Sequence, residues 1–126
     1  MTENEIGAII VNTCYEIHTT IGPGLFESVY EEILNYELQQ QGLSVERQAQ
    51  IPILWKRIQL GDAFKADLIV NGKVIVELKS VESLAPVHFK QLITYLRLAD
   101  MKLGLLVNFN SSLIKDGIKR VVNGLK

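Results

Sequence analysis

Asp67, Glu77 and Lys79 flank the Asn71-Gly72 dipeptide, and whether they can do chemistry together depends on how the chain turns there. Phe64, Ala66, Leu68 and Val70 alternate with Lys65, Asp67 and Ile69. After the turn, Val74, Val76 and Leu78 alternate with Lys73, Ile75, Glu77 and Lys79. Both runs read as strands, and a sheet buries one apolar face only if the two apolar sets lie on the same side. A two-residue turn would put them on opposite sides. A three-residue loop, Val70-Asn71-Gly72, pairs Ile69 with Lys73 and aligns them, with Gly72 in the left-handed bulge conformation.

In that register Asp67 faces Ile75 and is diagonal to Glu77, about 7–8 Å away along the backbone. Two carboxylates so placed repel one another, the more so when shielded from water. A divalent cation resolves the conflict, and an all-oxygen donor set favours Mg²⁺ or Mn²⁺. Leu78 then points into the core and leaves its backbone carbonyl free to join the ligands, while Lys79 lies beside the ion. The competing reading is a solvated face with ordinary cross-strand ion pairs. Ile75 on that same face counts against it, because a downstream helix must cover part of the sheet.

The elements that position these residues are readable from the period of the apolar positions. Thr2 and Glu5 form a capping box, and Ile6, Ile9, Ile10, Thr13, Cys14, Ile17 and Ile21 predict a helix over about residues 3–19. Gly22-Pro23-Gly24 ends it. Leu25 to Gln41 reads as a second helix, with Gly42 at its C-terminus. Val45 to Trp55 reads as a strand that Pro52 confines to an edge or a bulge, and Ile58 to Leu60 as its continuation. Pro86 opens a helix ending near Ala99. Leu103 to Phe109 is a short apolar strand buried on both sides. Ser111 or Ser112 caps a last helix carrying Leu113, Ile114, Ile118, Val121 and Leu125. The order α-α-β-β-β-α-β-α describes an α/β domain with a mixed sheet.

At 126 residues one domain is expected, over 1–126. A single Cys excludes a disulfide framework and fits a reducing, cytoplasmic setting. The apolar run Ile6–Val11 is too short to span a bilayer, so no membrane association is expected. Charge is unevenly divided: residues 1–46 hold eight of the 14 acids and no Lys or Arg, leaving all 13 bases and six acids to the rest. Such asymmetry can mark a polyanion-binding face, but taken alone two solvated acidic helices are the preferred reading.

Asp67 followed by Glu77-Leu78-Lys79 on the next strand resembles the PD-(D/E)XK nuclease signature, with Ala66 where the proline usually stands. The chain is similar to the GxxExxY proteins in Gly24-Leu25-Phe26-Glu27-Ser28-Val29-Tyr30. It also resembles them in Ala66–Val70, Val76–Lys79, Gln91–Leu96, Gly104–Phe109 and Lys115–Arg120, so that the likeness spans about residues 5–125.

The resemblance implies a restriction-endonuclease-like αβββαβ core with a mixed central sheet and extra N- and C-terminal helices. It implies Asp67, Glu77 and the Leu78 carbonyl as metal ligands, and Lys79 as the residue that orients or activates water. Glu27 matches a helix-borne acid that contacts metal or its water, but it also stands where a helix dipole favours any carboxylate; both readings stand. Gln91 and Tyr95 look like the Gln-x-x-x-Tyr pair of RecB-like relatives and complete the catalytic set.

Other residues draw plainer readings. Tyr30 and Cys14 are expected in the core, His18 and His88 to be structural or exposed, and Glu31 and Glu32 on the surface. Trp55, beside Lys56 and Arg57, is read as a strand-end packing residue in preference to a base-stacking platform. Lys115, Lys119 and Arg120 read as a solvated helix face. The functional expectation is a Mg²⁺- or Mn²⁺-dependent nuclease acting on nucleic acid, DNA first. The alternative is a non-catalytic nucleic-acid or protein interaction module that kept the fold, and a weaker one is a metal-dependent hydrolase with a small substrate. A two-fold homodimer would extend the reach of so small a domain.

Overall fold

The computed structural model describes residues 1–61 and 64–125. In chain order the elements are α1 (Glu3–Ile21), α2 (Glu27–Gln40), β1 (Val45–Ile51), β2 (Leu54–Trp55), β3 (Ile58–Gln59), β4 (Phe64–Val70), β5 (Val74–Lys79), α3 (Pro86–Ala99), β6 (Leu103–Asn108), α4 (Ile114–Gly117) and β7 (Ile118–Val122). A five-stranded sheet runs β1-β4-β5-β6-β7. Among the described residues, only β5 and β6 pair in parallel, joined by α3 as a crossover. Among the described residues, no helix is long and apolar enough to cross a membrane.

The capping box at Thr2 is present: the Thr2 backbone N–H donates to the Glu5 carboxylate at 2.9 Å, and the Glu5 N–H to the Thr2 hydroxyl at 3.2 Å. The apolar stripe that follows, Ile6, Ile10, Cys14 and Ile17, packs with Tyr30, Leu34 and Leu38 of α2 on one side of the sheet. Leu68, Val70, Val74, Val76 and Leu78 meet these helices, as the alternation predicts. The other side carries Ile69, Ile75 and Leu106 under Leu92, Tyr95 and Leu96 of α3. The strand β6 is buried over its whole length, because helices cover it on both faces.

Three expected elements differ. The run from Val45 does not reach Trp55; β1 stops at Ile51, before Pro52, and β2 and β3 form a separate two-stranded ribbon instead of extending the sheet. The expected C-terminal helix is one turn, after which Ile118 to Val122 form an edge strand antiparallel to β6. Ile118, Val121 and Val122 are β-branched, so their helical spacing competes with strong strand preference and a free sheet edge, and the edge wins. Lys119 and Arg120 therefore lie on a strand, not on a helix face.

The third difference is the loop. It has three residues and keeps Leu68, Val70, Val74, Val76 and Leu78 on one face, although Ala66, expected with them, packs on the α3 side. The loop is Asn71-Gly72-Lys73, with Val70 opposite Val74, Ile69 opposite Ile75 and Leu68 opposite Val76. Asn71 and Gly72 both adopt positive φ, at 52° and 63°, and the Lys73 N–H closes onto the Val70 carbonyl at 3.0 Å. Asn is one of the few residues that visit the left-handed region readily, which lets the turn start one residue later than expected. The shift carries Asp67 from a position opposite Ile75 to one opposite Glu77.

Candidate functional site

The paired rungs of β4 and β5 end at Leu68–Val76. Beyond that point side chains take over the hydrogen bonds between the strands. The Asp67 N–H donates to Glu77 Oε1 at 3.3 Å, and the Leu78 N–H donates to Asp67 Oδ2 at 2.8 Å. The apolar alternation also changes phase here: Leu68 faces α1 and α2, whereas Ala66 packs with Ala49 and Ile51 on the α3 side. Asp67 thus stands at a fork in the sheet, where one strand leaves the ladder.

Glu77 is 5% exposed. Burial first, and then the charge of Asp67, push its carboxyl up to about 9. Lys79, two residues on along β5 and half-buried, works in the opposite direction but is the weakest influence. Tyr95 of α3 lies under the same fork. Its phenol is raised by burial, with the charges of Glu77 and Asp67 adding to it, and its ring meets Phe64 at 5.3 Å. Gln91, one turn earlier on α3, is exposed.

The Gly24–Tyr30 segment positions the first turn of α2. Gly24 takes φ 101°, a backbone shape that L side chains avoid. Tyr30 is fully buried, stacked on Phe109 at 4.2 Å, and its hydroxyl donates to the Gly22 carbonyl at 2.6 Å while accepting from the Leu25 N–H at 3.3 Å. It is a core residue, as expected, and it clamps the turn that presents Glu27. The Ser80 N–H donates to Glu27 Oε1 at 3.1 Å, and the Ser80 hydroxyl to the Leu25 carbonyl at 2.9 Å. The start of α2 is thereby sewn to the end of β5.

Sequence reasoning missed three residues of this region. Glu31, expected on the surface, is 7% exposed. Arg47 donates to its Oε2 through Nη2 at 3.1 Å, and the Gln48 amide to its Oε1 at 2.6 Å. The Gln48 amide also reaches Asp67 Oδ1 at 3.3 Å. Gln48 lies between the Arg47–Leu68 and Ala49–Ala66 rungs and takes φ 48°, a conformation costing roughly 1–2 kcal/mol for a residue with a side chain. The available signal was the spacing of Glu27 and Glu31, four apart and so on one helix face. Asn108 was the third omission. It is buried, and its side chain accepts from the Val81 and Asn110 N–H groups and donates to the Val81 carbonyl, which holds the chain just beyond β5.

Glu27, Ser28, Glu31, Gln48, Asp67 and Leu78 line one cleft of about 200 Å³. It adjoins a larger, open cleft of about 580 Å³ that shares Glu27 and Ser28 and continues past Phe26, Ser80 and Asn110. Among the described residues, no three His, Cys, Asp or Glu side chains lie close enough together to hold a metal. The expected trio of Glu27, Asp67 and Glu77 is therefore not assembled: Asp67 and Glu77 are a pair, and Glu27 is turned toward Ser80.

What remains is an all-oxygen donor set, and it fits a hard divalent cation. Two adjoining carboxyls repel at the fork. Within a strand a residue's N–H and C=O point to the same side, so the Leu78 carbonyl opens toward Asp67. Water would complete such a ligand set.

The remaining titratable candidates are structural. His18 is buried with Nε2 at 2.8 Å from the Ser111 carbonyl, and His88 Nδ1 accepts the Ala85 N–H at 3.0 Å. Burial pushes the Cys14 thiol up to about 12, so it is no nucleophile at neutral pH. Trp55, read as a packing residue, is 62% exposed.

Comparison with known proteins gives one finding. A family model described as the PD-(D/E)XK nuclease superfamily matches residues 4–121. Searches of curated proteins and of solved structures found no match.

Proposed function

Since the chain belongs to the PD-(D/E)XK nuclease superfamily, we propose that it is a divalent-cation-dependent phosphodiesterase acting on nucleic acid, DNA first. The observation that carries this reading is the Asp67–Glu77 pair at the fork between β4 and β5, each carboxylate held by a backbone N–H of the other strand. The order α2, β1, β4, β5, α3, β6 matches the αβββαβ core of a restriction-endonuclease-like fold. The whole chain would then be one domain.

Asp67, Glu77 and the Leu78 carbonyl would hold Mg²⁺ or Mn²⁺. Such a cation supplies Lewis acidity at a phosphoryl oxygen and neutralises developing charge. The chain's own residues do the rest. Lys79 places an ammonium beside the phosphate and orients the attacking water. Tyr95, kept neutral by its surroundings, offers a hydroxyl from beneath the fork. Gln91, exposed one turn away, contacts the strand being cut. Glu27 sits at the junction of the two clefts, its Oε1 tied to Ser80, and faces water that enters from the open side. Arg47, Glu31 and Gln48 position Asp67 without touching substrate.

Purified protein incubated with Mn²⁺ and mixed single- and double-stranded DNA and RNA is expected to cleave at least one of them. Asp67→Asn and Glu77→Gln should abolish that cleavage with the far-UV circular dichroism unchanged. Cleavage that survives both substitutions would overturn the assignment. The second reading, a non-catalytic module that kept the fold, draws on the absence of a third acid beside the pair among the described residues. It predicts nucleic-acid binding that is indifferent to Mn²⁺.

A further inference from the structure

Among the described residues, no element forms a layer over the β2–β3 ribbon. Leu54 pairs with Gln59 and Trp55 with Ile58, and the connection is only Lys56-Arg57, both at positive φ, 47° and 70°. Two left-handed residues in a two-residue loop make the turn type that matches strand twist, normally built from Asn and Gly. Here two long basic side chains occupy it, in a backbone shape that L side chains avoid. Strained backbone of this kind clusters at functional sites and ligand clamps. The side chains are as unusual as the backbone. Trp55 is 62% exposed, Ile58 59% and Leu54 47%. The Lys56 ammonium lies over the indole at 5.6 Å. From Ile53 to Leu60 there are two bases and no acid.

The position of the ribbon identifies its occupant. Its stem is the Ile51–Phe64 rung that ends the β1–β4 ladder. Phe64 touches Tyr95 under the fork, and Phe64 is three residues along β4 from Asp67. At strand rise that puts the stem of the ribbon about 10 Å along the sheet from Asp67. A basic loop suits a phosphate backbone, and an exposed indole suits the face of an unstacked base, which any base can present.

We propose that the β2–β3 ribbon is a stacking platform for an unpaired base, with Lys56 and Arg57 on the flanking phosphates, and that the protein therefore prefers single-stranded or splayed nucleic acid over a closed duplex. The nucleic-acid class rests on the function proposed above; the platform itself rests on the exposure and charge of the ribbon.

Trp55 is the chain's single tryptophan, so its fluorescence reports the platform alone. The experiment titrates the full chain with a fluorescein-labelled twelve-nucleotide oligothymidylate, and with a blunt duplex, at low salt in EDTA, following indole emission and label anisotropy together. The oligothymidylate should quench the indole and bind more tightly than the duplex. Trp55→Ala should weaken it at least fivefold and Trp55→Phe much less. Lys56→Gln with Arg57→Gln should lower the slope of log affinity against log salt by about 0.7 per lost phosphate contact.

Binding with an unperturbed indole, tighter binding to the duplex, or no binding at low salt would each overturn the platform. A concentration-dependent emission shift of the protein alone would also overturn it, placing a second copy of the chain on the ribbon. Except for a complete failure to bind, which bears on both proposals, these outcomes leave Mn²⁺-dependent cleavage untouched; that is read separately by comparing the wild-type chain with Asp67→Asn. Absence of Mn²⁺-dependent cleavage by the wild-type chain, with quenching intact, would instead count against the nuclease assignment.

Discussion

The two ends of the β4–β5 pair are built on opposite principles. At the Asn71–Lys73 end, backbone rungs run unbroken from Val70–Val74 to Leu68–Val76, and Leu68, Val70, Val74 and Val76 are wholly buried. At the other end the rungs stop, and Asp67 and Glu77 bond the opposing backbone with their side chains. The first end derives its rigidity from buried apolar surface and needs no particular chemistry. The second accepts two adjoining carboxyls, one of them buried and pushed up to about 9, and a left-handed Gln48 alongside. A protein optimised for stability alone would have closed the fork with aliphatic residues. On the proposed function, stability and reactivity are separated along one hairpin, and substitutions at the two ends should separate them as well.

The largest contrast is in activity. Asp67→Asn keeps the size of the side chain and an acceptor for the Leu78 N–H but removes the charge, and it should cost at least about 10²–10³-fold in cleavage rate with little change in melting temperature. Leu68→Ala, one residue away, should do the reverse. Truncating a wholly buried leucine costs about 2–5 kcal/mol, read by urea denaturation, while cation binding by the folded fraction persists. A Leu68→Ala protein of full stability would contradict the packing described for this end.

Asn108→Ala leaves the Val81 and Asn110 backbone groups without their partner. The expected loss is about 1–3 kcal/mol, with a smaller fall in activity because the Ser80–Glu27 contact loosens. Loss of activity without loss of stability would move Asn108 into the site itself.

Acidity distinguishes the ends in another way. Glu77 has a folded-state value raised above its ordinary one, so the native state binds more protons than the unfolded chain between about 4.5 and 9. The contribution of Glu77 to the stability of the cation-free protein should therefore be fully present below that window and be lost as pH rises through it. Glu77→Gln should flatten the dependence, whereas Leu68→Ala should lower the curve without changing its shape. Urea midpoints between pH 5 and 9 check this.

The smallest expected effect belongs to Gln48→Ala. It frees Asp67 and Glu31 from their shared amide and should lower kcat by about tenfold or less with KM nearly unchanged. A stability change alone would mark Gln48 as merely structural.

Much of this was legible in the residues, and the exceptions have physical causes. Parity alone put Leu68, Val70, Val74, Val76 and Leu78 on one face, and helical spacing placed α1, α2 and α3 within a few residues. Parity cannot distinguish loops that differ by a shift of two in the pairing sum, so Asp67 was expected opposite Ile75. The choice was made by Asn71, which tolerates a left-handed backbone. Ile118–Val122 satisfied two periods at once, and only the free edge of β6 decided between them. Glu31 was mistaken for a surface residue because its partners Arg47 and Gln48 come from a strand that the helix meets only in the folded chain. Trp55 was mistaken for packing because an apolar residue type says nothing about whether a second layer exists to receive it.

The central claim, that Asp67 and Glu77 together hold a divalent cation, is tested most directly by Mn²⁺ titration followed by electron paramagnetic resonance. The wild-type chain should bind one ion, and Asp67→Asn and Glu77→Gln should each lose it while retaining the fold. An unchanged ion count in either variant, or no bound ion in the wild type at millimolar Mn²⁺, would contradict the account.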